Sequence, residues 1–556
     1  MNFSFLIAAA RYLVPLLMLA VLIRIAISLF SHRGEEEIWA WLCLPNGERL
    51  PVTHWETTIG RAKSCDVSVQ YSTISRLHAI LTRHDDGSWT ISDAGSKGGI
   101  SVNGKTVQSQ QVRYGEMISL ADVAFTLVPI TPEQEAAQAR YRIAPQGLKQ
   151  GVTLLLLTAL QVLLTACGIG VQPDYAARIA SCFGALCAAQ WALYGFYRAI
   201  KRRCFEPETA AFLLCSLCLS VLSSSAPDRL YKQTGAMLAG IVVFLLVGWC
   251  LRVERRAKIV RYIASVLGIA LLLSAVLFGR EINGARNWIY IGGLSIQPSE
   301  LAKICFVFAG ASSLERLVTK RNVTLFLAYT AAICVCLAIV SDFGTALIFF
   351  TAFVVIAYLR SGNLTAIALG GVGVGFIGVV AARFLPYITR RASAWGHVWE
   401  NPLTTGYQQT RAMMCMAAGG LFGLGIGQGW LHYVAAADTD LVFALLGEEY
   451  GLIVAVSAVL TILLLALFVV RMSPRSRSAL HTIGASAAVG MFLVQTMLNV
   501  LGTVDLLPLT GVTFPFLSAG GSAAIASWGL LAFVKSVDTR QNASFTIRLP
   551  KEVAEK

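Results

Sequence analysis

Charge is what this chain has least of. Asp, Glu, Lys and Arg make up 14% of it, against roughly 25% in an ordinary soluble domain, while 56% is hydrophobic. Such a balance excludes a water-soluble globule and points to a polytopic membrane protein. Histidine is scarce at 7 residues, and no two of them stand at ligand spacing. The 13 cysteines are scattered, several inside apolar runs (Cys182, Cys187, Cys215, Cys218, Cys334, Cys336), with neither metal-ligand spacing nor a secreted disulfide framework. They read as small apolar residues. Acidic residues number 31 against 45 basic, a net charge of +14. In a membrane protein that excess belongs to cytoplasmic loops and is no argument for nucleic acid.

Long apolar runs are plentiful. Segments of about 17–25 residues are the unit that crosses a bilayer, and roughly thirteen are expected by that measure, with cores near 5–30, 150–170, 178–198, 208–225, 233–251, 260–279, 299–316, 323–341, 344–359, 363–382, 440–470, 480–501 and 520–535. The first run is too long for a signal-peptide core and lacks a small-residue cleavage site, so a retained anchor is expected. Lys201-Arg202-Arg203, Arg252 to Arg261, Lys320-Arg321, and Arg471, Arg475 and Arg477 fall in alternate loops. The positive-inside rule assigns these to the cytoplasm. The amino terminus then lies outside and the carboxyl terminus inside. Against the rule, Arg280, Arg286, Arg383, Arg390, Arg391 and Arg411 fall outside. Long loops escape the charge rule. The sharper reading is a basic surface for an anionic head group such as a lipid pyrophosphate.

Residues 38–130 change character. Short alternating runs separated by Gly, Asp and Asn turns predict an all-β sandwich on the cytoplasmic side. It carries Gly60-Arg61, Ser75-Arg76-Leu77-His78, Asp93 to Gly99, and Val102-Asn103-Gly104. An Arg and a Ser on neighbouring loops can grip a phosphate through charge-assisted bonds. These motifs resemble the forkhead-associated (FHA) domain, a phosphothreonine-peptide reader. The resemblance implies phosphopeptide contacts from Arg61, Ser75, Arg76 and Lys97, with His78 bracing the loop. Where that family usually has Thr-Asn, this chain has Lys97-Gly98, so the Asn that would hold the peptide backbone is missing. A docking module without phosphopeptide affinity is the alternative.

Several constellations are unusual for transmembrane filler. Gly284 to Lys303 brings Arg286 and Trp288 in an outer loop, then Glu300 and Lys303 three apart on one helix face, spaced to pair. Asp342 lies between two apolar runs, either capping the next helix or lining a polar cavity. Tyr407 and Gln408 open a stretch to Gly425 that reads as a helix along the membrane surface. Asn499 is followed by Leu506 to Ala523, where Pro508, Pro515 and three Gly residues cannot form a continuous helix, and irregular backbone there must be buried in protein or line a wet cavity. Most informative is Gly419 to Gly451, where a glycine-rich run meets Asp438, Asp440, Glu448 and Glu449. Along a helix from Asp440 the Glu pair lies about 12–13 Å away, beyond the roughly 5–9.5 Å of a two-carboxylate hydrolase. A single base suits a transfer whose leaving group departs as an anion, and pyrophosphate is such a group. Glu448 and Glu449 are expected to pair with a basic residue.

The segment from about 208 to 535 resembles the SEDS family (shape, elongation, division and sporulation; RodA/FtsW/SpoVE-like). The motifs are GAxxW…QPSExAK at 284–303, DxGTAL at 342–347, P…GYQ at 402–408, GGLFGxGxGQG at 419–429, TDxxFAxxGEExG at 439–451 and LPxTGxxxPFxSxGGS at 507–522. The resemblance implies a peptidoglycan glycosyltransferase that polymerises lipid II at the outer face of the plasma membrane, with inversion. Asp440 is then the catalytic base, and Arg286, Trp288, Glu300, Lys303, Asp342, Tyr407, Gln408, Glu449 and Ser518 are candidate substrate-binding residues. A divalent cation, Mg or Mn, is the candidate cofactor. A class B penicillin-binding protein and a phosphothreonine protein are the implied partners. Two departures stand out: Ala435-Ala436-Ala437-Asp438 replaces the frequent Pro-Glu-x-His, and Asn287 stands where Arg is common. Family members have about ten spans, so the anchor (1–37) and two spans (150–200) are additions around the FHA domain (38–130) and linker (131–149), ahead of the SEDS domain (201–540) and a tail (541–556). A lipid II flippase and an inactive scaffold are the alternatives.

Overall fold

The computed structural model describes residues 3–31, 37–63, 65–84, 87–143, 148–200, 202, 204–282, 285–313, 320–361, 395–476 and 478–538. The expected span at 363–382, the tail at 541–556 and Arg383, Arg390, Arg391 and Arg477 lie outside these residues.

The chain opens with α1 (Phe3–Ser31) and then turns to strands. Eleven strands follow: β1 (Ala40–Cys43), β2 (Arg49–Val52), β3 (Glu56–Gly60), β4 (Val67–Ser68), β5 (Ala79–Arg83), β6 (Trp89–Asp93), β7 (Ile100–Val102), β8 (Lys105–Val107), β9 (Ser109–Val112), β10 (Met117–Leu120) and β11 (Val123–Pro129). They form two sheets, β2-β1-β11-β10-β7-β8 and β4-β3-β5-β6-β9. Alternation of side chains makes the sandwich: Ala40, Leu42, Ile59, Leu81, Ile91, Ile118, Phe125 and Leu127 point into one core. This is the β-sandwich that the alternating runs predict. A polar helix, α2 (Pro132–Ile143), lies within the stretch expected as a linker.

The helical part contains α3 (Gln150–Val171), α4 (Ala176–Ala199), α5 (Glu206–Ser225), α6 (Leu230–Leu251), α7 (Glu254–Phe278), α8 (Pro298–Ser313), α9 (Lys320–Ile339), α10 (Phe343–Ser361), α11 (Tyr407–Gly419), α12 (Val442–Glu449), α13 (Leu452–Met472), α14 (Ala479–Thr503) and α15 (Gly521–Ser536). Eight helices among the described residues are long and apolar enough to cross a membrane, which makes this a multi-pass membrane protein. The expected thirteen are not all present as such. The run at 440–470 is two helices, because Gly451 (φ +87°) breaks it between α12 and α13. Helix α15 is 16 residues, shorter than a full span. The loop before α8, expected on the outer side, is a three-stranded sheet, β12 (Arg280–Ile282), β13 (Ala285–Ile291) and β14 (Leu294–Ile296).

Helix α5 is the centre of the bundle: 94% of its apolar window is buried, against 22% to 67% for the other seven. Most of its Ser and Thr hydroxyls donate to carbonyls three or four residues earlier, which satisfies them inside an enclosed helix. Helices α1, α3 and α4 lock onto it through polar groups. Ser28 donates to Glu206 (2.7 Å), Gln150 donates to both, and Gln161 donates to Gln190 and to Ser216 (3.0 Å each). The β-sandwich meets the helical part at the turn between α13 and α14. His54 pairs with the Pro474 carbonyl, and Glu56 accepts the backbone N–H of Ala479 at 3.2 Å, at the start of α14. A carboxylate there complements the positive end of the helix.

Candidate functional site

Asp440 stands two residues before α12, on a tight turn. Ala436 adopts a left-handed conformation (φ 60°), and its carbonyl accepts the backbone N–H groups of Thr439 (3.2 Å), Asp440 (2.9 Å) and Leu441 (3.3 Å). The carbonyls of Asp438, Thr439 and Asp440 are each held from the irregular 506–523 segment or from α14. Ala519 N–H donates to Asp438 (2.9 Å), Ser518 Oγ to Thr439 (2.6 Å), and Asn499 Nδ2 to Asp440 (3.0 Å). Asn499 also donates to Val512 (2.9 Å) and is 2% exposed, so one buried amide ties the turn to the broken segment. Beside the Asp440 carboxylate is Gly511 (φ +73°), where a Cβ would lie 3.4 Å from Oδ2. A larger residue there would crowd the half-buried carboxylate.

The glycine-rich run is folded onto the far end of α12. Leu424 and Gly425 donate to the Glu448 and Glu449 carbonyls (2.8 and 3.0 Å). Gly423 and Gly451 press against backbone where any side chain would collide. The Glu448 carboxylate accepts the backbone N–H groups of Trp430 (2.7 Å) and Leu431 (2.9 Å), and Glu449 accepts the Ser224 hydroxyl (3.0 Å). Both glutamates are 1% exposed. Backbone amides and a hydroxyl meet these carboxylates, where the sequence suggested a basic residue.

The other candidates fall into groups. Glu300 and Lys303 pair with each other at 2.7 Å in the core, at 5% and 0% exposure. Asp342 serves both of its expected roles in part: Oδ1 caps α10 at Thr345 N–H (3.1 Å), while Oδ2 accepts Asn287 (3.1 Å) and Gln297 (3.2 Å). Asn287 thus ties the outer sheet to the α10 cap. Arg286 is 64% exposed along its side chain and lies 3.4 Å from Glu281, and Trp288 pairs with Arg280 across β12 and β13. Tyr407 stacks under Arg411, and Gln408 donates to the Ala435 carbonyl (2.9 Å) at the foot of the Asp440 turn. Ser518, expected at the substrate, uses its hydroxyl on Thr439 and Phe514 backbone. Asn499, which the sequence sets ahead of the broken segment, is bonded to both that segment and the turn, whereas the Arg229–Asp438 pair was not foreseen. A buried amide inside an apolar span was the available signal for the first.

Among the described residues one trio, Cys204, Glu206 and Asp538, brings ligand atoms within 4.8 Å of one another. It lies at the opposite end of α5 from Ser224 and the glycine-rich run. Lys535 Nζ already lies 3.7 Å from Asp538, 3.4 Å from Glu208 and 2.8 Å from the Cys204 carbonyl. An ammonium therefore takes the place a cation would take.

In the β-sandwich, Arg61 and Ser75 come together as predicted. Arg61 N–H bonds the Ser75 carbonyl (2.9 Å), and its guanidinium reaches the Ser72 carbonyl (3.4 Å). Ser75 Oγ accepts the Lys97 N–H (3.1 Å). His78, fully buried, accepts Ser75 N–H at Nδ1 (3.1 Å), which leaves Nε2 to donate to the Gly99 carbonyl (2.9 Å). Arg61, Arg76 and Lys97 remain exposed. At Gly98 a Cβ would lie 2.5 Å from the Ala121 Cβ, so no side chain fits in the missing Asn's position.

A family model described as cell cycle protein (FtsW/RodA/SpoVE) matches residues 213–543, and an FHA domain model matches 57–121. A probable peptidoglycan glycosyltransferase FtsW of Halomonas elongata is 31% identical over 352 residues, 61% of this chain and 82% of that protein. Stage V sporulation protein E of Bacillus subtilis is 31% identical over 281 residues, 48% of this chain and 74% of that protein. Peptidoglycan glycosyltransferase RodA of Mycobacterium tuberculosis is 29% identical over 320 residues, 54% and 68%. Among solved structures, a peptidoglycan synthase complex that coordinates polymerization and crosslinking contains a chain 28% identical at a TM-score of 0.51, covering 60% of this chain and 97% of that one. With the family model spanning more than half of its length, this chain belongs to the FtsW/RodA/SpoVE family, and it carries an FHA domain ahead of the family's membrane region.

Proposed function

We propose that the chain is a peptidoglycan glycosyltransferase that polymerises lipid II at the outer face of the bacterial plasma membrane. The observation that carries this reading is the pinned turn: three consecutive carbonyls around Asp440 are held from two other elements, while its carboxylate faces a glycine. Holding a base still is worth more to a transfer reaction than adding contacts to substrate. Asp440 takes the proton of the acceptor sugar hydroxyl. That oxygen attacks the donor's anomeric carbon as the bond to the pyrophosphate oxygen breaks, with inversion, and undecaprenyl pyrophosphate leaves as an anion. Exposed Arg286 and its neighbours offset the charge of the leaving group. A divalent cation would share that charge, but no step here depends on one. Sidedness follows from the basic residues: Arg471 and Arg475 flank the turn that meets the FHA domain, and Asn499 near the other end of α14 holds Asp440. The FHA domain then lies in the cytoplasm and reads a phosphothreonine peptide through Arg61, Ser75, Arg76 and Lys97. A class B penicillin-binding protein would crosslink the product.

Purified protein with its cognate transpeptidase should convert fluorescent lipid II into glycan strands resolved on a gel. Lipid II moving across proteoliposomes without strand formation would replace this reading with a transporter.

A further inference from the structure

Asp438, which stands where relatives have a histidine by the resemblance above, carries an ion pair of its own. Its Oδ2 lies 2.9 Å from Arg229 Nη1 on the one-turn helix Pro227–Arg229 that joins α5 to α6. The neighbouring Asp228 in the same turn lies 2.8 Å from Arg178 of α4. Alternating charges therefore run from α4, one of the helices outside the family region, through the α5–α6 turn to the loop that bears the candidate base. We propose that Arg229 is a positioning residue for the transfer: it holds Asp438, and through it the turn carrying Asp440, with Arg178 as the outer anchor.

Three observations favour position over surface decoration. The Asp438 side chain is only 11% exposed, although Arg229 is 64% exposed, so the pair is half shielded from the solvent that makes surface ion pairs weak. The main chain of Asp438 is held as well, by Ala519 N–H at 2.9 Å, which fixes both ends of the residue. And Ala436, two residues earlier, has a positive φ that a β-carbon resists, so the turn needs outside support to keep its shape.

The proposal rests on the glycosyltransferase reading, and the test separates the two. Strand formation from fluorescent lipid II is measured with the full-length protein and its transpeptidase for wild type, Asp440→Asn, Arg229→Met, Arg229→Lys, Asp438→Asn and the double Arg229→Met/Asp438→Asn. Expected is a kcat about 10- to 100-fold lower for Arg229→Met with KM unchanged, the scale of a misplaced catalytic group. Arg229→Lys should recover about half of the wild-type rate or more, since a cation of similar reach remains. The double variant should be no slower than the worse single, as coupled residues behave. A raised KM with kcat retained would make Arg229 a substrate ligand and overturn the proposal. So would additive losses, or wild-type rates in Arg229→Met while Asp440→Asn is dead. An inactive wild type would overturn the glycosyltransferase reading and this proposal with it.

Discussion

At the scale of single residues, Glu448 shows how a carboxylate survives inside an apolar bundle. Its two oxygens take two adjacent backbone N–H groups, so its charge is paired with the amide dipoles of Trp430 and Leu431. Glu448→Gln keeps the shape but turns one acceptor into a donor facing an N–H. A loss of about 1–3 kcal/mol is expected for the unsatisfied pair, seen as a lower melting temperature in detergent. An unchanged melting temperature would contradict that role. In the FHA domain, Gly98 cannot simply be restored to Asn, because Ala121 fills the space. Paired with Ala121→Gly, however, Gly98→Asn should tighten a phosphothreonine peptide about ten-fold, the worth of one added hydrogen bond. Arg61→Ala should weaken it by at least that much. Fluorescence anisotropy with a labelled phosphopeptide reads both. The residues of the phosphate grip were legible because they sit within short loops at fixed spacing. The partners of Ser518 and Asn499 were not, because each bonds carbonyls far along the chain, 79 and 59 residues away.

At the scale of elements, α14 joins two parts of the molecule. The FHA domain touches its amino end through Glu56, and Asn499 near its carboxyl end holds the Asp440 turn. Glu56→Ala should cost about 0.5–2 kcal/mol of local stability, the range for a lost helix cap. Faster amide exchange at residues 479–482 would show it, and unaltered exchange would mean the contact contributes nothing. Spans were readable because uninterrupted apolar runs have one main use. The break at Gly451 was not, since a glycine within a run of span length does not by itself end a helix, and only the left-handed backbone there reveals it. Gly451→Ala should therefore impair folding, because its β-carbon would strike the Leu421 carbonyl. Lower yield of monodisperse protein would report that. The outer strands β12 to β14 also escaped notice, being short and paired only with each other.

At the scale of the whole molecule, the family region is wrapped by elements it does not itself contain. Helices α1, α3 and α4 bind α5 through buried polar side chains, and the FHA domain rests on the α13–α14 turn. Order of motifs along the sequence carried the family assignment. It could not reveal that Glu448, the Lys303–Glu300 pair and Ser518 meet protein groups, because a sequence gives polarity and not contacts. Asp440 itself is a half-buried carboxylate on a braced turn. The most direct test compares lipid II polymerisation by wild type, Asp440→Asn and Asp440→Glu under the same conditions. The account predicts strands from wild type, a loss of about 100-fold or more in Asp440→Asn, within the range for removing a general base, and partial activity in Asp440→Glu. Wild-type rates from Asp440→Asn would contradict it and move the base elsewhere.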